Sequence, residues 1–202
     1  MPDQDRLPTR TTLLELREER QIMQEGYRFL DEKRLLLAAE ILRQLALYEA
    51  AIDQFRDRQQ AATEALRDAV GRHGLEALSL YPSPLATEPP APRQYSFLGV
   101  RMLAATDQAD PPLGETAVAE DPSPQARRAA EIFHFLLLRA RDLALLSGNL
   151  YRLMDDYRRT ERRARALEDV LLPEARVAIR QLEEQLDDQD QEEAIRVRLK
   201  AR

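Results

Sequence analysis

Two long stretches almost free of proline flank a short segment crowded with it, and this division limits what the chain can fold into. Nine of the twelve prolines lie between Pro82 and Pro124; the others are Pro2, Pro8 and Pro173. A proline inside a helix removes a backbone donor and clashes with the preceding turn, at a cost of about 3 kcal/mol. The flanks are therefore predicted to be helical and the middle is not.

The first flank, 11–74, carries apolar residues three or four apart. Leu16, Met23, Leu30 and Leu37 open a heptad seam, which Ile41, Leu45, Tyr48, Ile52 and Phe55 continue, with Ala62 and Leu66 more weakly. Two consecutive four-residue steps near Ile41 are a stutter, which locally unwinds a left-handed supercoil. Pro8 and Thr9 suit a helix start, and Gly71 and Gly74 suit its end. The second flank, 125–202, has a similar seam at Leu143, Leu146, Leu150, Leu153, Tyr157, Leu167 and Leu171.

At 1.5 Å per residue such helices measure roughly 90 and 110 Å. Neither can bury its apolar stripe alone. The expected fold is all-α: a long antiparallel two-helix coiled coil whose partners are joined by the proline-rich segment. The expected divisions are an N-terminal extension at 1–10, a long helix at 11–74, a middle segment at 75–124 and a second long helix at 125–202. Within the middle, 81–93 reads as polyproline or turn, 94–103 (QYSFLGVRML) as a candidate strand or hairpin, and 105–124 as loop.

Pro173 stands apart. Helical periodicity runs up to it and resumes beyond it in a shifted phase at Ile179, Leu182 and Leu186, with no glycine or turn dipeptide nearby. A kink in a continuous helix explains this better than a helix end. If the helices pair antiparallel from 73 and 125, Pro173 faces the neighbourhood of Gly26.

Little here points to bond chemistry. The only lysines are Lys33 and Lys200, and neither lies in a glycine-rich phosphate loop. His73 and His134 are isolated in the sequence, and DDQDQEE (187–193) lacks the spacing of a calcium loop. No catalytic, cofactor-binding or metal-binding residue is therefore assigned. There is no cysteine, which fits a reducing compartment. No segment reads as a secretory leader or a membrane span. Arg158, Arg159, Arg162, Arg163 and Arg165 form the strongest charge feature. The formal net charge of −6 argues against general nucleic-acid binding, so ion pairing or protein contact is the better reading.

The stretch RRTERRARALEDVLLP (158–173) resembles a motif of the D subunit of V-type/A-type ATPases. Arg159, Thr160, Arg162, Arg163, Ala166, Leu167, Glu168 and Pro173 carry the likeness. PTRTTLLELREERQIMQEGYRFLDEKR (8–34) is similar to the start of that family through Gly26, Lys33 and Arg34. Leu98, Gly99 and Val100 look like its middle element. Arg165 and Asp169 depart from its pattern.

The resemblance implies a central rotor axle or stalk, itself not an enzyme and without a cofactor. It would couple ATP hydrolysis or synthesis in a ring of A and B subunits to ion or proton transport across the membrane. It implies an F subunit and a membrane-linking C/d subunit as further partners, and a cytoplasmic place peripheral to the membrane. The competing reading is a coiled-coil stalk or adaptor of another ATPase assembly, such as type III secretion.

Overall fold

A computed structural model describes residues 8–81, 91–106, 113 and 122–200. Residues 1–7 of the extension expected at 1–10, and most of the segments expected as polyproline (81–93) and loop (105–124), lie outside the described residues. The elements run α1 (Arg10–Ser79), β1 (Arg93–Phe97), β2 (Val100–Ala104), α2 (Pro124–Ala166), a π-helical turn (Leu167–Leu171) and α3 (Leu172–Lys200). Apart from one small antiparallel hairpin, the described chain is helical, as the periodicity predicts.

Both long helices start at side-chain caps. Thr9 accepts the Thr12 N–H on its hydroxyl at 3.1 Å, and its carbonyl accepts the Leu13 N–H at 3.1 Å. Ser123 does the same for α2, accepting the Ala126 N–H on Oγ at 3.1 Å. Pro124 follows at the first helical position, where its missing donor costs nothing. Near its C-terminal end α1 is interrupted at Gly74, whose φ of 77° and ψ of 161° leave the helical region. Only glycine adopts that backbone without strain.

The chain forms two compact units. The first combines Met1–Ala38 with Asp156–Arg202. In it the helices run antiparallel: Arg10 meets Asp190 at 3.0 Å, Arg17 meets Glu183 at 2.6 Å and Lys33 meets Asp156 at 2.8 Å. Leu37, Thr160, Ala164, Leu172, Ala175, Ile179 and Leu182 are buried there.

The second unit is Ala39–Asp155. Its core at one end is built from alanines: Ala65, Ala69 and Ala129, with Leu78 and Ile132 packed against them. Leu66, read above as a weak seam residue, is exposed, and Ala65 turns inward instead. Leu45 also departs from the expected seam. It is 38 % exposed, while Gln44 is 3 % exposed. The reason lies in hydrogen bonding. Gln44 Nε2 donates to Glu40 Oε1 at 2.8 Å, and Arg43 grips the same carboxylate through two nitrogens at 2.7 and 2.8 Å. A buried Gln44–Glu40 pair, held by exposed Arg43, thus takes the inward position that hydrophobicity alone assigns to leucine. Arg43 holds the Glu40 carboxyl below the usual carboxylate range, against the opposing effect of burial.

The hairpin pairs Phe97 with Val100 and Tyr95 with Met102. Its two-residue turn places Leu98 at φ 48° and Gly99 at φ 87°. Two left-handed residues in succession match the right-handed twist of the strands. Leucine adopts this region at a cost of about 1–2 kcal/mol. Val100 and Met102 are buried on the inner face. Asn149 of α2 holds the outer edge of β2: its Oδ1 accepts the Leu103 N–H at 2.9 Å and its Nδ2 donates to the Leu103 carbonyl at 2.7 Å. One side-chain amide thus does for Leu103 what a third strand would do.

His73 is not isolated in space. Its Nε2 lies 2.6 Å from Ser123 Oγ and 3.3 Å from the Tyr81 hydroxyl. It thereby ties the end of α1 to the start of α2.

Candidate functional site

Of the residues that carry the family likeness, Gly26, Leu167, Glu168 and Pro173 lie at or beside the π turn in the first unit. In an α-helix each N–H reaches the carbonyl four residues back. Here the Leu172 N–H bonds to the Leu167 carbonyl, five residues back. One extra residue is thereby taken into a single widened turn. Pro173 follows directly. In a regular helix its ring would press on the Asp169 carbonyl, and no N–H would be there to bond it. A widened turn just before the proline displaces those carbonyls from their α-helical positions.

The π turn also accounts for the phase shift in the sequence. Thr160, Ala164 and half-buried Leu167 follow at helical spacing. The stripe then steps five residues to Leu172 before continuing through Ala175, Ile179 and Leu182. Leu171, expected in the seam, is displaced from it. It is 41 % exposed, whereas Leu172 is 7 % exposed. Heptad spacing assumes an uninterrupted α-helix, and the added residue rotates every later position.

The partner helix meets this turn closely. A Cβ placed on Gly26 would lie 3.9 Å from Leu167 Cδ1. Gly26 therefore sits against Leu167, six residues before Pro173, which corrects the register expected above. The next residue, Tyr27, lies beside Glu168; burial and that carboxylate together push its hydroxyl above the usual tyrosine range. Gly26, Leu167 and Glu168 are thus brought together, with Pro173 just beyond them in the chain.

The remaining candidates lie elsewhere along the two helices. Lys33 pairs with Asp156, and Arg34 pairs with Asp31 on its own helix at 2.6 Å. Arg162, Arg163 and Ala166 are exposed. Arg165 bonds Glu161 one turn back at 2.7 Å.

None of the five residues of the π turn is buried, and Val170 is 47 % exposed. The arrangement offers shape, charge and apolar surface. Among the described residues, no group of three or more His, Asp or Glu side chains is placed to hold a metal ion, and no helix is long and apolar enough to cross a membrane.

Sequence reasoning counted Thr160 among the motif positions but not in the buried seam, and it passed over Asn149. Thr160 fills the gap between Tyr157 and Ala164 at seam spacing. Asn149 interrupts an otherwise apolar inward run, which is the signal that exposes it.

Comparison with known proteins agrees with these observations. The family described as the ATP synthase D subunit matches residues 12–201. The chain is 30% identical to the V-type ATP synthase D 2 subunit of Treponema pallidum (strain Nichols), over 96% of this chain and 94% of that protein. It is 30% identical to the V-type ATP synthase D subunit of Anaeromyxobacter dehalogenans (strain 2CP-1 / ATCC BAA-258), over 94% and 92%. It is 29% identical to the A-type ATP synthase D subunit of Pyrococcus abyssi (strain GE5 / Orsay), over 95% and 91%. With a match that extends through both long helices, the hairpin between them and the π turn, the chain belongs to the ATP synthase D-subunit family.

Proposed function

We propose that the chain is the central stalk of a V-type/A-type rotary ATPase, a non-catalytic subunit that transmits rotation between the A/B catalytic ring and ion translocation at the membrane. The family match over residues 12–201 carries this reading. The architecture agrees with it: α1 is 70 residues long, and within each unit antiparallel helices supply a packed, charge-laced exterior with few groups suited to bond chemistry. An F subunit and a membrane-linking C/d subunit complete the proposed partners, in a cytoplasmic position peripheral to the membrane. A fixed asymmetry suits an axle, because a rotor must present different surfaces to otherwise identical catalytic interfaces. The π turn and Pro173 supply one such asymmetry.

Co-purification tests the proposal. The tagged chain, expressed in its native host, should bring down A and B subunits and a small F subunit, with ATPase activity in the eluate. Recovery of a single secretion-type ATPase, or of no ATPase, would sink it.

A further inference from the structure

We propose that Arg152 is a positioning residue: its guanidinium, laid over Gly148, fixes the amide of Asn149 in the one orientation that seats the hairpin on α2. The seating does not depend on the stalk reading. Its use, a hairpin that turns with α2 instead of swinging from it, rests on that reading.

Asn149 is the only asparagine of the chain, and it is 2 % exposed. The oxygen and nitrogen ends of a primary amide are nearly alike in shape, so the neighbours decide which end goes where. Leu103 makes one choice: its N–H meets Oδ1 at 2.9 Å, and its carbonyl meets Nδ2 at 2.7 Å. Arg152 makes the same choice from within the helix, donating from Nη2 to Oδ1 at 2.8 Å. Reversal of the amide would set Nδ2 against two donors and Oδ1 against a carbonyl, at a place closed to water. The cationic donor also draws charge onto Oδ1, which makes Nδ2 a better donor to Leu103.

Arg152 gains little for itself. It is half-buried, and its Nε is buried without a hydrogen-bond partner. A buried donor left unmatched is a cost that calls for a reason. Holding Asn149 is that reason.

Gly148 provides the room. It lies four residues before Arg152, on the same helix face. A Cβ built there would be 3.4 Å from Arg152 Nη2, 3.5 Å from Nη1 and 3.7 Å from the guanidinium carbon. A single added carbon fits at those distances. A longer side chain would fill the space in which the guanidinium lies. A glycine inside a helix is less favourable than alanine, and clearance for Arg152 accounts for the stretch of helix that carries one here.

The test uses the full chain, isotope-labelled at asparagine so that nuclear magnetic resonance sees one side-chain amide. Wild type is compared with Arg152→Met, Arg152→Lys, Gly148→Ala and Gly148→Leu. Backbone amide exchange at Leu103 and thermal melting are followed on the same proteins.

In Arg152→Met the Asn149 side-chain amide and the Leu103 N–H should both exchange about tenfold faster or more, the scale of one lost charge-assisted hydrogen bond. The helices should melt close to wild type. Gly148→Leu should reproduce this pattern. Arg152→Lys, which keeps a donor, should recover part of the protection, and Gly148→Ala should keep all of it. Wild-type exchange in Arg152→Met overturns the proposal, because Leu103 alone would then orient the amide. Wild-type exchange in Gly148→Leu overturns the clearance assigned to Gly148. A fall in the melting temperature of Arg152→Met, with faster exchange spread evenly over the helices and no recovery with lysine, assigns Arg152 to packing and also overturns the proposal. Each of these results leaves the stalk reading standing, since that reading falls only with the co-purification.

Discussion

Leu172 donates its backbone N–H to the carbonyl of Leu167, and this five-residue closure decides which of two adjacent leucines enters the core. Leu172 is buried and Leu171 is not. Leu172→Ala should therefore destabilise the protein by about 2–4 kcal/mol, within the range for buried leucine truncations. Leu171→Ala should cost under about 1 kcal/mol. Chemical denaturation of the two single variants checks this. Equal losses would mean that the π turn does not set the stripe.

Gly26 is open to replacement. A Cβ there would make an ordinary contact at 3.9 Å with Leu167 Cδ1. Helical glycine is less favourable than alanine by about 0.5–1 kcal/mol. Gly26→Ala should raise the melting temperature by a few degrees, and a fall would show that the helices approach more closely than this distance indicates.

Asn149→Ala removes both hydrogen bonds to Leu103 and strands that residue's N–H and carbonyl. Leu103 is half-buried, so leaving its groups unmatched should cost about 1 kcal/mol, the low end of the range for a buried donor. Amide exchange at Leu103 should accelerate well before the helices respond. Unchanged protection at Leu103 would show that β1 alone holds the strand.

Leu98→Asn addresses the turn. Asparagine tolerates the left-handed region that Leu98 occupies at φ 48°. An Asn-Gly pair is the favoured sequence for this turn. The substitution should stabilise the hairpin by about 1 kcal/mol, read as slower amide exchange in β1 and β2. Faster exchange would mean that the leucine side chain contributes more by packing than its backbone costs.

The Glu40–Arg43–Gln44 set predicts a pH response. The folded-state pKa of Glu40 is depressed. Its contribution is therefore complete above the unfolded carboxylate pKa and is lost as pH falls through the folded value. Stability measured downward from neutral pH should decline in the acid range, and Glu40→Gln should flatten that decline. Identical acid profiles for wild type and variant would exclude Glu40 as a source.

The periodicity of leucine, isoleucine and alanine made the helices legible, because repeated burial on one face leaves a direct trace in residue order, and the aromatic and branched residues of 94–103 marked the hairpin segment. The core of each unit was read less well where local chemistry overrides that trace. Gln44 displaces Leu45 because its amide has a carboxylate to bond, and a hydropathy pattern contains no such partner. Leu172 displaces Leu171 because backbone hydrogen bonding shifts by one residue. The anomaly at Pro173 was visible, but a one-residue insertion into a helix has no residue type of its own. The pairing of Gly26 with Leu167 depends on three-dimensional register, which spacing along each helix leaves open.

The clamp between Asn149 and Leu103 has a consequence for the order of folding. A lone two-stranded hairpin is at best marginally stable in water. This one contains a leucine in an unfavourable turn position and relies on a side chain 46 residues away in sequence. Helical turns form from near neighbours, whereas this clamp requires a long loop to close first. The helices are thus the scaffold on which the sheet is nucleated. The hairpin is a late arrival in folding, and an early departure whenever α2 loosens around Asn149.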